Sequence, residues 1–297
     1  MRTRTICLLA SCLAALALGC NGSSGTSDAG NGTDADGGGD NGNGYVQLEH
    51  AAFIDGAHED LAAKLAQVLG VGPATFDQRI DPGALAVGSI AGVEEGFDYR
   101  AANDAHVTVW VDAEGRPHTL SYLLRRMGAS EDHAYGLEAA TADVRSILEQ
   151  MEVPLDGSED FTAEEYAAGP SSKWFHFEVR QKYAGEILAQ PSIQSELEGS
   201  SGEVNFLRLP RWYANLDEID RVLSDGELEQ RARDYYEASD KVISIPDSLT
   251  LLEYHILGDA LCRRVGSATI DQYGSTMDLL IDVQSGEIVA EEEHLVG

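Results

Sequence analysis

The chain has few basic residues for its length. It contains 20 lysines and arginines against 51 aspartates and glutamates in 297 residues, which gives a formal net charge of −31 at pH 7. A surface of this sign repels the phosphates of nucleic acids and the headgroups of anionic lipids. We therefore exclude nucleic acid as a partner. We expect either a cationic protein partner or an acidic surface that only keeps the protein soluble.

Cysteine is also scarce. Cys7, Cys12 and Cys20 lie at the very start of the chain, and Cys262 alone lies in its body. Cys262 therefore has no partner for a disulfide, and its apolar surroundings, LGDALCRRVG, are typical of a small buried hydrophobic residue. The alternative, a catalytic thiol, requires a nearby histidine.

The motifs of the commonest catalytic and metal sites are missing. The sequence has no H-E-x-x-H, no G-x-S-x-G elbow and no phosphate loop with its lysine and serine or threonine. Its eight histidines never lie three or four residues apart, so local metal-ligand spacing is absent. We therefore predict a protein that is not an enzyme and has no catalytic residue, no cofactor and no metal ion. An unrecognised hydrolase that uses acidic residues or Cys262 is the alternative.

The first twenty residues have the pattern of a secretion leader. Arg2 and Arg4 precede an apolar run, Ile6 to Leu18, that is too short for a membrane-spanning helix. The run ends in LALGC, which resembles the lipobox of bacterial lipoproteins. The resemblance implies that Cys20 receives lipid, becomes the mature N terminus and attaches the protein to the cell envelope. An ordinary cleaved signal peptide is the alternative. The residue after Cys20 is Asn21, not the aspartate that favours retention in the inner membrane. This favours the outer membrane, and both faces of that membrane, periplasmic and exterior, stay open as the location of the protein.

Three stretches share one plan, in which apolar and polar residues alternate on both sides of a turn that ends in glycine. They are HVTVWVDAEGRPHTLSYLL from His106, SIQSELEGSSGEVNFLRLP from Ser192 and TMDLLIDVQSGEIVAEEEH from Thr276. The period of two predicts antiparallel hairpins, and Gly115, Gly202 and Gly286 fill a left-handed turn position without strain.

A helical pattern precedes each hairpin. The third helix is the clearest, because Ser224 lies three residues before Glu227, the spacing of a capping box. We predict an α+β fold of three units, each an antiparallel sheet packed on one helix. The predicted segments are a lipoprotein signal peptide (1–19), the lipidated cysteine with a flexible Gly/Asn/Asp linker (20–44), and units at 45–135, 136–215 and 216–297.

Two segments resemble known propeptide domains. Trp174 to Leu209 resembles the core of the fungalysin/thermolysin-type propeptide region, and the C-terminal hairpin LLIDVQSGEIV is similar to that of a PepSY domain. The resemblance implies tandem PepSY-like, cystatin-like units without a peptidase domain. In secreted metalloproteases this region assists folding of the catalytic domain and inhibits it. It therefore implies an envelope lipoprotein that binds proteins or peptides and inhibits or chaperones a secreted metalloprotease. A structural or interaction lipoprotein unrelated to proteases is the alternative.

An aromatic cluster accompanies this resemblance. It consists of Trp174, Phe175, Phe177 and Tyr183. Such residues are most often packed in the core or against a sheet, and the alternative is an exposed stripe that binds a partner. If a strand edge is open, an extended peptide could also add to the sheet by main-chain pairing.

Overall fold

The structure, a computed structural model, describes residues 45–81, 93–124, 135–169, 172–220 and 222–295. Cys20 and the predicted linker, 20–44, lie outside these ranges, so the predicted lipidation site has no structural account. The described ranges contain no helix long and apolar enough to cross a membrane.

The described residues form three α-helices, α1 (His58–Val68), α2 (Leu137–Gln150) and α3 (Asp225–Ala238). They also form twelve β-strands: β1 (Thr75–Ile80), β2 (Glu95–Arg100), β3 (His106–Val111), β4 (Pro117–Leu123), β5 (Asp160–Gly169), β6 (Ser172–Tyr183), β7 (Glu186–Glu198), β8 (Val204–Pro210), β9 (Thr250–Leu257), β10 (Ala260–Thr269), β11 (Thr276–Asp282) and β12 (Ile288–His294). Each α-helix precedes four strands. The α+β class is confirmed.

The twelve strands join in one sheet. Its main path runs β1-β2-β3-β4-β8-β7-β9-β10-β11-β12, while β6 pairs with β7 and β5 pairs with β6. All neighbours are antiparallel except β7 and β9, which are parallel. The expectation of tandem PepSY-like units, each with its own sheet, is therefore wrong. Pairing of β4 with β8 and of β7 with β9 carries the sheet from one predicted unit into the next.

The hydrophobic cores follow the sheet rather than the predicted units. Leu61 and Leu65 of α1 share one core with Val144 and Leu148 of α2. The reason is that the β4–β8 pair joins the two strand sets edge to edge, so both helices cover one face of the same sheet. Only α3 has a core of its own, where Tyr236 donates hydrogen bonds to backbone carbonyls of β10 and β11.

Local sequence signals account for the helix ends and the turns. The capping box at α3 is confirmed: Ser224 Oγ accepts from the Glu227 amide, and the Glu227 carboxylate accepts from the Ser224 amide. Gly115, Gly202 and Gly286 have φ angles of +75°, +73° and +76°, the left-handed values that the hairpin turns require.

Candidate functional site

Strand β5 presents the longest unpaired edge of the sheet. It has ten residues, against six in β1 and seven in β12, the strands at the ends of the main path. In the described part of the chain β5 pairs only with β6, and the register is regular from Asp160 to Ala167. All three edge pairings contain a register shift, but the regular stretch is longest in β5, eight residues from Asp160 to Ala167 against five from Ala290 to His294 in β12, while the β1 pairing is broken between Phe76 and Gln78. Such irregularities twist an edge away from further pairing, so β5 is the edge best suited to accept another strand.

The two faces of β5 differ. Phe161 and Ala163 pack against the core beneath α2, where the Arg145 guanidinium carbon lies 4.1 Å from the centre of the Phe161 ring. The other face carries Tyr166, whose hydroxyl donates to Glu196 Oε1 at 3.3 Å. The strand is thus fixed to the sheet by its side chains while its outer main-chain edge stays free of strand pairing among the described residues.

The charge of β5 is negative. Glu164 is exposed, and Glu165 Oε2 lies 3.0 Å from Lys173 Nζ, while β5 itself contains no lysine, arginine or proline. Lysine and proline are the residues that usually protect a strand edge from further pairing. On β12, Lys241 lies 3.0 Å from Glu291 and 3.2 Å from Glu293, so two of its acidic residues are already paired. Glu165 of β5 is likewise paired, but Glu164 has no ion-pair partner among the described residues, so a basic segment is better complemented at Glu164 than by β12.

A second feature is a cavity of about 340 Å³ where β7 changes its partner. Leu188 and Gln190 of β7 pair with β9, whereas the segment from Gln194 to Leu197 pairs with β8. β8 and β9 diverge between these points, and we call this place the fork. The polar side chains that line the cavity are His118, Thr119, Gln190, Ser192, Arg208, Arg211, Tyr213, His255 and Glu292.

The wall of the cavity holds a buried ion pair. Arg211 Nη2 lies 2.7 Å from Asp112 Oδ2. Burial opposes ionisation of Asp112, but hydrogen bonds from Arg211 and Arg116 outweigh it, so the pKa of Asp112 is lowered. Burial and the nearby Arg211 charge lower the pKa of His118 to about 4. His118 is therefore neutral at pH 7 and serves as a polar, uncharged wall residue.

The predicted partner-binding aromatics are buried in this structure. Phe175 and Phe177 belong to the core shared by α1 and α2, and Tyr183 belongs to the core under α3. Trp174 is also buried. Their side chains are not accessible to a partner in this structure. They pack in the core, which is the first of the two arrangements considered for them from the sequence. The accessible part of this region is the edge of β5, not an aromatic stripe.

The residues considered for chemistry do not come together. Cys262 is buried, and burial raises the pKa of its thiol to about 12, which keeps it in the protonated form that is a poor nucleophile. Glu178 forms an ion pair with Arg180 at 2.5 Å. Within the described ranges no three histidine, cysteine, aspartate or glutamate side chains are grouped so as to hold a metal ion.

Sequence reasoning missed the fork and its basic residues. Arg208 lies between two leucines in NFLRLPRWY, and alternation places it on the face opposite the core. This signal indicates an arginine on the polar face of a strand, but not which strands lie beside it. The strands that flank the fork are about fifty residues apart in sequence, and no local pattern predicts their pairing.

The sequence matches no protein family model and no curated protein. Among solved structures, the Bacillus megaterium YpeB C-terminal domain has a TM-score of 0.34 and 14% identity, covering 82% of this chain and 99% of that one. The protein CD1622 from Clostridium difficile 630, described as a lipoprotein, has a TM-score of 0.19 and 11% identity, covering 56% of this chain and 100% of that one. At these scores neither likeness carries an argument about the function of this chain.

Proposed function

We propose that this chain is a lipid-anchored protein of the cell envelope that binds an extended, basic segment of a protein partner by adding it to the edge of β5. The observation that carries the proposal is the edge itself: ten residues long, in regular register with β6 from Asp160 to Ala167, and without the lysine or proline that would block pairing. In this mode main-chain hydrogen bonds supply affinity and alternate side chains supply selectivity.

The charge of the strand sets the class of partner. Glu164 and Glu165 point to opposite faces of β5, and Glu165 is already paired with Lys173, so a basic side chain opposite the exposed Glu164 forms a new cross-strand pair. Each such pair contributes roughly 0.2–1 kcal/mol. The net charge of −31 also attracts a basic partner from a distance.

The N-terminal segment supports the anchoring part of the proposal. The Val46 amide donates to Gln284 Oε1 at 2.8 Å, and Gln284 Nε2 donates back to the Val46 carbonyl at 2.9 Å. A chain lipidated at Cys20 would therefore enter the folded body beside Gln284. Residues 20–44 are rich in glycine, serine and asparagine, and as a flexible tether of this length they would span roughly 25–30 Å.

The proposed partner is a secreted metalloprotease, which this protein inhibits or helps to fold. This part of the proposal rests on the resemblance of residues 174–209 and of the C-terminal hairpin to propeptide and PepSY domains. An extended propeptide-like strand contact is a mode in which such a protein can engage a protease.

The test uses the full-length protein in detergent and two ten-residue peptides, one alternating valine and lysine and one alternating valine and glutamate. We expect the lysine peptide to bind more tightly, and the variant Glu164→Lys/Glu165→Lys to weaken its binding at least tenfold. The matched control is Glu237→Lys/Asp240→Lys, which makes the same change of charge at exposed positions at the end of α3. Equal binding of the two peptides, or equal loss in both variants, would refute strand addition at β5.

The protease part has its own measurement. Full-length protein added to a secreted metalloprotease is expected to slow its cleavage of a peptide substrate, and Glu164→Lys/Glu165→Lys is expected to relieve the inhibition. If the peptide binds β5 but no metalloprotease is slowed or helped to refold, the protease part is wrong while the binding part stands.

A further inference from the structure

The cavity at the fork contains a positive charge without a carboxylate partner. Arg208 lies on β8 between Leu207 and Leu209, which are fully buried in the core, and its own side chain lines the cavity on the opposite face. Its Nε is buried and has no hydrogen-bond acceptor among the described residues. Burial lowers the pKa of Arg208, but a guanidinium stays charged at neutral pH. Arg180 and Arg263 also have a buried Nε without an acceptor, but each of them forms an ion pair through its terminal nitrogens, and no such pair is formed by Arg208 among the described residues.

A second buried polar group, the His255 ring, lines the same cavity. The His255 side chain belongs to a residue that is 9% exposed, and its Nε2 makes no hydrogen bond within the part of the chain that the structure describes. Its nearest carboxylate oxygen, Glu253 Oε1, is 3.5 Å away. Burial lowers the pKa of His255, so the ring is neutral at pH 7 and can donate one N–H. Buried polar groups are nearly always satisfied, so the buried Arg208 Nε–H indicates a missing acceptor at this cavity, and the His255 ring lies where it can contribute a second polar contact.

Two other charged residues that line the cavity, Arg211 and Glu292, are already paired, whereas Asp259, which follows Gly258 of the lining, has a buried Oδ1 without a hydrogen-bond partner among the described residues. Arg211 is paired with Asp112 at 2.7 Å, and Glu292 lies 3.3 Å from Arg264 Nε. His118 is neutral at pH 7 because burial lowers its pKa to about 4. Of the two arginines that line the cavity, Arg208 is therefore the one without a carboxylate partner among the described residues. A ligand with a single negative charge complements it, whereas a dianion such as a phosphate monoester would add a second negative charge close to Glu292.

The rest of the lining is apolar. Five residues contribute hydrophobic surface to the cavity: Pro191, Pro210, Ile256, Leu257 and Leu280. The volume of about 340 Å³ is at the lower end of the range of small-molecule pockets. A small organic acid, or the last residue or two of a peptide, fits both the size and the mixture of apolar wall and single cation.

We propose that the fork binds a carboxylate attached to an apolar group, with the Arg208 guanidinium as its charged partner and His255 Nε2 as a second donor. A guanidinium binds a carboxylate through two parallel N–H···O bonds, which also orients the ligand. The site is distinct from the edge of β5 and does not depend on strand addition. The carboxylate belongs either to a free organic acid or to the C terminus of a peptide.

Calorimetry on the full-length protein in detergent tests the site with phenylacetate, its neutral analogue phenylacetamide and phenyl phosphate. Two peptides form the other arm, acetyl-Gly-Leu-Phe with a free C terminus and the same peptide as an amide. We expect phenylacetate to bind at least tenfold more tightly than phenylacetamide or phenyl phosphate. Tighter binding of the free peptide than of phenylacetate assigns the site to a peptide C terminus, and the reverse order assigns it to a small acid.

The decisive variant is Arg208→Met, which keeps the length of the side chain and removes its charge. We expect it to lose carboxylate binding at least tenfold while its unfolding midpoint stays equal to that of the natural protein or rises, since an unpaired buried charge is removed. The control is Arg79→Met. It removes an arginine of β1 that is paired with Glu95 of β2, and this variant should bind the carboxylates as tightly as the natural protein does. Arg208→Lys should retain part of the affinity and guards against misfolding of the methionine variant.

Three outcomes would overturn the proposal. They are the absence of binding by every carboxylate tested, equal binding of phenylacetate and phenylacetamide, and unchanged carboxylate binding in folded Arg208→Met. Any of them would mean that water satisfies Arg208 and His255. The peptides that test β5 carry amidated C termini in that experiment, so a failure at the fork and a failure at β5 are read separately.

Discussion

Asp112 and Arg211 form a buried ion pair that fixes the turn between β3 and β4 against the chain that follows β8. Arg211 Nη2 lies 2.7 Å from Asp112 Oδ2, and the two side chains are only 4% and 7% exposed. Arg211 Nε also donates to the Pro117 carbonyl at 2.9 Å, and Asp112 accepts from the Arg116 amide at 2.8 Å. One residue pair thus joins two of the predicted units at the wall of the fork.

Arg211→Met is expected to be strongly destabilising. It leaves the Asp112 carboxylate buried without its main partner, and breaking a buried ion pair from one side costs about 3 kcal/mol or more. Urea denaturation monitored by circular dichroism measures the change in the free energy of unfolding. In the double variant Asp112→Asn/Arg211→Met no buried charge is left unpaired, so it should recover at least half of the loss. A double variant as unstable as Arg211→Met would contradict this account of the pair.

The lowered pKa of His118 predicts that the free energy of unfolding decreases as the pH is lowered from 6.5 to 4. Burial lowers its pKa in the folded protein to about 4, so in this range the unfolded chain binds a proton that the folded protein does not. Its contribution is therefore complete above pH 6.5 and is lost as the pH falls towards 4. The full shift corresponds to about 3 kcal/mol, and partial access of solvent to the ring reduces the expected effect to about 2 kcal/mol.

The measurement compares the free energy of unfolding at pH 7 and pH 4.5 in the natural protein and in His118→Gln. The variant should lose less stability on acidification. His255, whose pKa burial also lowers, contributes with the same sign, so part of the slope should persist in the variant. Parallel curves for the two proteins would show that His118 is protonated equally in the folded and unfolded states.

Elements that depend on local chemistry were predictable from the sequence. The period of two gave the hairpins, the serine and glutamate at positions 224 and 227 gave the start of α3, and a glycine at each hairpin turn adopts a left-handed φ. Helix α2 has no such signal at its start, because Gly136 at its N-cap has no side chain that could cap it. It begins at Leu137, and Thr141 lies inside the helix, where its hydroxyl donates to the Leu137 carbonyl at 2.7 Å. A threonine that bonds back within a helix has the same sequence signature as one that caps it.

What could not be predicted is the joining of the strand sets. β4 pairs with β8, and β7 pairs with β9, although long stretches of chain separate the partners. Pairing at a strand edge uses main-chain N–H and C=O groups, which nearly every residue carries. No local sequence pattern therefore shows which strand edges pair with each other. The fork exists only because β7 exchanges one such partner for another. For the same reason Arg208, His118 and His255 come from three separate strands or strand ends and have no common motif.

Two of the three turn glycines, Gly115 and Gly202, should differ in their response to alanine. At Gly115 an added methyl group meets no atom within 4 Å, so Gly115→Ala costs only the strain of a left-handed alanine, about 1 kcal/mol. At Gly202 the methyl carbon would lie 2.6 Å from Cζ of Tyr135, so Gly202→Ala must also displace that ring. We expect a total cost of about 2 kcal/mol or more there. Urea midpoints of the two variants measure the difference, and equal costs would contradict the contact with Tyr135.

Hydrogen exchange gives the sharpest test of the edge of β5. Adjacent residues in a strand direct their N–H groups to opposite edges, so every second amide between Asp160 and Ala167 points away from β6. In the free protein these outward amides should exchange quickly, because no strand pairs with that edge in the part of the chain that the structure describes.

Saturation with the amidated lysine–valine peptide should slow exchange of the outward β5 amides at least tenfold. Amides of β1 and β12 serve as internal controls and should keep their rates, because register shifts interrupt their pairing. Raising the salt concentration from 0.05 M to 0.5 M should reverse part of the protection, since the Debye length falls from roughly 14 Å to roughly 4 Å and screens Glu164 and Glu165. Protection that appears on β12 instead would place the peptide beside Glu291–Glu293, and uniform slowing over the sheet would indicate general stabilisation rather than strand addition.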